Sequence, residues 1–193
     1  MYELLHSHFN KYVHLSDEEF ERAVSYFTYK KFRKHQYILQ AGDVSRYETY
    51  VLHGCTRSFE VDNDGQEHII QFGLEDWWIG DLYSFLTGAP SRLNIDCLED
   101  TEVLQISAIN HDKMCDEIPK LERHFRKLIQ HAYCASIQRI YSNLSKPALE
   151  RYEEFISKYP HIDQRIPNHL IASYLGITPQ SLSRLRSQRA SKK

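Results

Sequence analysis

The chain has no apolar run near the roughly 18 residues that a membrane-spanning helix requires. Its opening stretch, MYELLHSHFNKYVHLSDEEF, is too polar to be a signal peptide. Together these absences predict a cytoplasmic chain with no membrane partner. Cysteine is sparse. Cys55, Cys97, Cys115 and Cys134 are spaced 42, 18 and 19 apart, with no Cys-x-x-Cys pair. That spacing denies an iron–sulfur sensor its compact ligand cluster and suits reduced thiols. There is no internal repeat and no low-complexity stretch.

What is present is ordinary for a folded chain. A length of 193 residues predicts one to two domains. Such a chain buries roughly 70% of its unfolded surface, so neither a disulfide nor a metal is needed as a staple. Apolar residues make up 41% and charged residues 26%, which argues against wholesale disorder. The net charge of −2 hides an asymmetry. Residues 145–193 carry +5 and the rest −7, and from Arg165 onward there is no acid at all. A basic end on an acidic body suits a polyanionic partner, or else is a solvated tail.

Along the chain the texture changes twice. Residues 16–29 read as a helix, with Ser16 as N-cap, Glu19 completing a capping box, and Phe20, Val24 and Phe27 in a stripe. From Phe32 to Ile106 come short β-prone runs between turn signals, the clearest turn being Asp62-Asn63-Asp64-Gly65. This predicts a sandwich or small barrel, with Trp77-Trp78 as an aromatic anchor. From Ile109 the period is helical: 110–117, a long helix 120–144, then 147–158 after Pro147. The long helix has two apolar stripes, one of Leu121, Phe125, Leu128, Ala132 and Ala135, and one of Ile129, Tyr133, Ile137, Ile140 and Leu144. A face that wide serves two neighbours, the β-roll and a second copy of the helix, unless the helix is simply buried in the monomer. The first stripe is taken as the dimer seam.

The segment from Ile166 to Arg186, IPNHLIASYLGITPQSLSRLR, parses as helix, tight turn, helix. Leu170, Ile171, Tyr174 and Leu175 form the first apolar face, and Ala172 permits a close crossing. Gly176 supplies the left-handed turn residue. Thr178 caps the second helix and Pro179 opens it. Leu182 and Leu185 face inward. Thr178, Gln180, Ser181, Ser183, Arg184, Arg186 and Arg189 are left for an outer surface. This is a helix-turn-helix pattern, though a helical hairpin without nucleic-acid contacts would satisfy the same spacing. Gln can pair with adenine and Arg with guanine in the major groove, while Arg186, Arg189, Lys192 and Lys193 suit phosphates.

With IASYLGITPQSLSRLR at 171–186, IGDL at 79–82, EVLQIS at 102–107 and PALERYEEFISKYP at 147–160, the chain resembles the Crp/Fnr family of bacterial transcription regulators. The resemblance spans residues 5–190. It implies an α+β fold in three parts: a cyclic-nucleotide-binding-like β jelly roll (1–118), a long dimerisation helix (119–144) and a helix-turn-helix domain (145–193). It further implies double-stranded DNA, a second copy of the chain and RNA polymerase as partners. In nucleotide-binding members a Gly-Glu-Leu element meets the ribose and a following Arg-Ser pair holds the cyclic phosphate. Here Gly80-Asp81-Leu82 occupies the first place, and the second reads Ser91-Arg92, in reversed order. A one-residue shift in an extended segment turns a side chain to the opposite face, so this pocket is expected to be degenerate or altered. Pro179-Gln180 stands where many relatives have Arg-Glu or Val-Glu, which predicts a different half-site.

No other sensing chemistry has its residues in place. His6 and His8, or His124 and His131, lack a convincing metal or haem spacing. A cupin-like metal enzyme would need inward ligands on successive strands, yet only His53 and His68 lie in plausible strands. An adaptor that binds protein through the roll would leave the basic second helix unexplained. The expectation is therefore a non-enzyme with no resident cofactor and an unidentified effector.

Overall fold

The computed structural model describes residues 2–160 and 162–190. Its elements in chain order are helices α1 (Glu3–Asn10) and α2 (Asp17–Ser25), strands β1 (Thr28–Phe32), β2 (Tyr37–Leu39), β3 (Tyr47–His53), β4 (Thr56–Val61), β5 (Glu67–Gly73) and β6 (Trp78–Ile79). Helix α3 (Leu82–Thr87) and strands β7 (Asn94–Cys97) and β8 (Thr101–Ser107) follow. The rest is helical: α4 (Ala108–Glu117), α5 (Lys120–Ser145), α6 (Ala148–Lys158), α7 (Ile162–Arg165), α8 (Asn168–Tyr174) and α9 (Pro179–Ala190). Among the described residues, no helix is long and apolar enough to cross a membrane.

The strands form two four-stranded sheets in the orders β1-β8-β3-β6 and β2-β7-β4-β5, the non-consecutive neighbours of a jelly roll. Alternation along β3 and β8 sets what each face buries. One set, Tyr50, Leu104 and Ile106, packs with Leu5 and Phe9 of α1 and with Met114, Leu121 and Phe125. The other, Val51 and Val103, packs with Leu39, Ile79 and Ile95 inside the roll. The Asp62–Gly65 turn forms as its residues dictate. Gly65 has φ +80, and Asp62 Oδ1 accepts the Asp64 and Gln66 amides at 2.9 Å each.

The cap at Ser16 is present with its full reciprocal box, but the helix expected over 16–29 ends at Ser25. Thr28–Phe32 instead lies antiparallel to β8, with Thr28 opposite Gln105. β-branched and aromatic residues that complete a sheet edge gain more there than in another helical turn. Helix α3 is an addition to the expected elements, capped by Asp81 and closed by Gly88 at φ +72.

The chain divides into two compact units. One comprises residues up to Glu60 together with Ile70–His131, and the other Val61–Ile69 together with residues from Ala132 on. The division therefore falls within α5, whereas the sequence placed boundaries at 118 and 144. The second unit's core is formed by Tyr152, Phe155, Ile162, Ile166, Leu170, Ile171, Leu175 and Leu182.

Candidate nucleic-acid interface and effector pocket

The second unit holds the helix-turn-helix segment. Helix α8 buries Leu170, Ile171 and Ala172, and Leu175 continues the same face. Gly176, at φ +65, makes the left-handed turn, which the Gly176 amide closes onto the Ser173 carbonyl at 3.0 Å. The Ile177 amide then donates to the Ala172 carbonyl at 3.0 Å. Thr178 Oγ1 accepts the Ser181 amide at 3.2 Å, which caps α9. Leu182 is fully buried against α8, with 0% exposure, and so fixes the roll of α9 about its axis. Gln180, Ser183 and Arg184 are exposed on the outer side, and Ser181 is half-buried beside the cap. Gln180 and Arg184 are one helical turn apart on that surface.

Arg186 takes a different place from the outward one expected. Its guanidinium lies 5.9 Å from the Tyr152 ring centroid and 3.8 Å from Asp163. That cation–aromatic contact and ion pair draw it into the domain, where its Nε is buried. Arg189 is half-buried, and Lys192 and Lys193 lie outside the described residues.

In the first unit the residues expected at the effector pocket separate into three environments. Asp81 is turned to its own helix: its Oδ1 accepts the Ser84 amide at 3.2 Å, and its Oδ2 accepts the Ser91 hydroxyl at 2.7 Å. Arg92 points outward, its side chain 83% exposed and paired with Glu60. Leu82 is exposed too. Of the five, Gly80 alone lines a cavity of about 370 Å³ inside the roll, with Leu39, Thr49, Ile79, Ile95 and Gln105 among its walls. The space therefore lies beside Asp81 and Ser91 and not between them.

Glu48 bears on this region. A Cβ at Gly80 would come within 3.0 Å of its carboxylate. Glu48 Oε1 is buried without a hydrogen-bond partner among the described residues, although the residue as a whole is half-buried. Burial, helped by the charge on Asp81, pushes its pKa up to about 8, so the side chain is largely protonated at neutral pH.

A second buried polar group lies under α1. His8 Nε2 accepts the Trp78 indole N–H at 3.1 Å, which leaves Nδ1–H to donate to Asp76 Oδ1 at 2.7 Å. Tyr50 donates to the same carboxylate oxygen at 2.8 Å, and Lys11 pairs with Asp76. His124 of α5 is fully buried, its ring 5.2 Å from that of His8 and 5.0 Å from that of Phe9. Burial, then the charge on His8, lowers its pKa to about 4. Among the described residues no His, Cys, Asp or Glu cluster could hold a metal.

The two stripes of α5 part company. Leu121 and Phe125 are buried in the roll's core and Leu128 packs against it, whereas Ala132 and Ala135 are exposed. The apolar surface left open runs through Ile129, Tyr133, Ile140 and Leu144, the last two 51% and 82% exposed.

The model of the family described as "Cyclic nucleotide-binding domain" matches residues 29–117. A curated relative, the fumarate and nitrate reduction regulatory protein of Vibrio cholerae, is 27% identical over 169 residues, 81% of this chain. The chain spans 66% of that relative's length. Among solved structures, FixK2 from Bradyrhizobium japonicum superposes with a TM-score of 0.74 at 21% identity, covering 86% of this chain and 85% of that one. A CooA mutant from Carboxydothermus hydrogenoformans gives 0.71 at 17%, covering 88% and 78%. The catabolite activator protein of Thermus thermophilus gives 0.58 at 20%, covering 92% and 85%. At these identities the structural likeness is one of fold.

Proposed function

From its likeness to regulators of the Crp/Fnr family, we infer that this chain is a homodimeric, sequence-specific DNA-binding transcription regulator of that family, without enzymatic activity. The observation that carries this reading is the outer face of α9. Thr178 caps the helix and Leu182 locks it, so Gln180, Ser183 and Arg184 project away from the core. Arg184 makes no ion pair with any described residue, which leaves its fork available for a guanine edge. The N-terminal turn of α9, with Thr178 and Ser181, suits a phosphate.

Dimerisation would place two such helices on one duplex, about 34 Å apart on a near-palindromic site. The α5 surface through Ile129, Tyr133, Ile140 and Leu144 is the seam we assign, in place of the Leu121 and Phe125 stripe, which the roll already occupies. RNA polymerase, and a location in the cytoplasm, belong to the same reading. Classical cyclic-nucleotide binding does not: Arg92 is held at the surface by Glu60, and Ser91 spends its hydroxyl on Asp81. Selection from random duplex DNA tests the reading. A two-fold related pair of half-sites is expected, and Arg184→Ala should relax one base pair in each. Recovery of no common sequence would overturn it.

A further inference from the structure

Thr49 and Gln105 stand opposite each other on β3 and β8 and both line the cavity within the roll. They are 1% and 4% exposed, polar groups beside the apolar Leu39, Ile79 and Ile95 and the buried Ser45. Gln105 Nε2 donates to Thr49 Oγ1 at 3.1 Å, and Gln105 Oε1 is left buried without a partner among the described residues. Buried amide oxygens are nearly always satisfied, so an unmet acceptor beside an open cavity marks where a donor belongs. The cavity, about 370 Å³, is in the range of small-molecule sites.

The lining carries one charge of each sign, Asp43 and Arg46, both exposed and neither ion-paired with a described residue. Arg46 precedes Thr49 by three positions, so its backbone lies about 10 Å from that of Thr49 if the strand is extended. The site thus has one cation and one anion at exposed positions and one unmet acceptor at a buried one. Leu39, Ile79 and Ile95 give the same cavity an apolar wall. A phosphate ester would bring negative charge that one arginine, offset by Asp43, does not balance. A zwitterion matches both charges.

We propose that this cavity binds a free α-amino acid whose side chain has an apolar body and ends in a hydrogen-bond donor, as tyrosine does. The carboxylate meets Arg46, the ammonium meets Asp43, and the distal hydroxyl donates to Gln105 Oε1. The binding requires no DNA, so it stands or falls apart from the function proposed above.

Isothermal titration of the full chain with L-tyrosine is the test. Saturable binding is expected, with tyramine and 3-(4-hydroxyphenyl)propionate, which lack the carboxylate and the ammonium respectively, each weaker by about tenfold or more. Gln105→Leu should weaken L-tyrosine by about tenfold and leave L-phenylalanine unchanged, because only the hydroxyl loses its acceptor. Should Gln105→Leu melt without native cooperativity, Arg46→Met, at an exposed position, carries the test and should weaken both amino acids. No heat of binding up to the solubility limit of L-tyrosine, equal binding of the propionate, or an unchanged affinity in the folded variants would overturn the proposal.

Discussion

Two buried groups should make the native stability of the first unit insensitive to pH where each alone would make it steep. His124 has its pKa lowered from 6.5 to about 4 by burial and by His8, with Lys11 adding to the effect. The folded state therefore refuses a proton that the unfolded chain accepts, and stability is lost as pH falls from about 6.5 towards 4. Glu48 has its pKa raised from 4.5 to about 8 by burial and by Asp81. There the folded state keeps a proton that the unfolded chain releases, and stability is lost as pH rises from about 4.5 towards 8. Each slope is about 1.4 kcal/mol per pH unit, and between pH 4.5 and 6.5 they oppose one another.

Two substitutions separate them. Glu48→Gln removes the Glu48 slope and leaves that of His124, so its stability should fall by about 3 kcal/mol between pH 6.5 and 4. His8, whose pKa is also lowered, acts in the same direction. His124→Phe keeps an aromatic ring among Phe9, Tyr12 and Phe125 and removes the His124 slope, leaving that of Glu48. Its stability should fall by about 5 kcal/mol as pH rises from 4.5 to 8. Urea denaturation followed by Trp77 and Trp78 fluorescence across this range is the assay. Profiles for both variants as flat as that of the native chain would refute the reasoning.

Ile140→Glu should weaken the proposed dimer by about a hundredfold or more, since it sets an unpaired charge in the seam; sedimentation equilibrium reads this, and an unaltered dimer would remove α5 from the interface. Gly54→Ala should destabilise the roll by about 2–4 kcal/mol, because Gly54 sits at φ +100 and a Cβ there would lie 2.6 Å from the Asp100 carbonyl oxygen. A loss below about 1 kcal/mol in urea denaturation would contradict that geometry. Dithiobisnitrobenzoate should modify Cys134 rapidly and the other three cysteines only on unfolding, as Cys55, Cys97 and Cys115 are buried and burial raises the Cys115 pKa to about 12. Rapid release from more than one thiol in the folded chain would count against the packing described.

Short-range signals carried far in this sequence. The Ser16–Glu19 box, the Asp62–Gly65 turn and the Gly176–Thr178–Pro179 run each encode their geometry within a few residues, and each is found in place. Helix α3 was equally local, bracketed by Asp81 and Gly88, but it is only 6 residues long and has no apolar period to announce it. The overrun of the second helix has the opposite cause. Phe27 continues a helical stripe, and only the distant β8 decides that Thr28–Phe32 is a strand. Long-range choices were the illegible ones. Two stripes on α5 could be read, but not which of them the roll would take. The inward turn of Arg186 depends on Tyr152 and Asp163, residues far from it in sequence. The facing of Thr49 and Gln105 depends on a strand register that no local pattern specifies.

The central claim, that α9 reads DNA sequence, is most directly tested by a double-mutant cycle. Fluorescence anisotropy would measure native chain and Arg184→Ala on the selected duplex, and on a duplex altered in each half-site at the base pair assigned to Arg184. The account predicts that Arg184→Ala costs about 1–3 kcal/mol per half-site on the selected duplex and close to nothing further on the altered one. An equal loss on both duplexes would make Arg184 a phosphate contact, and no difference between the duplexes for the native chain would contradict sequence reading by this helix.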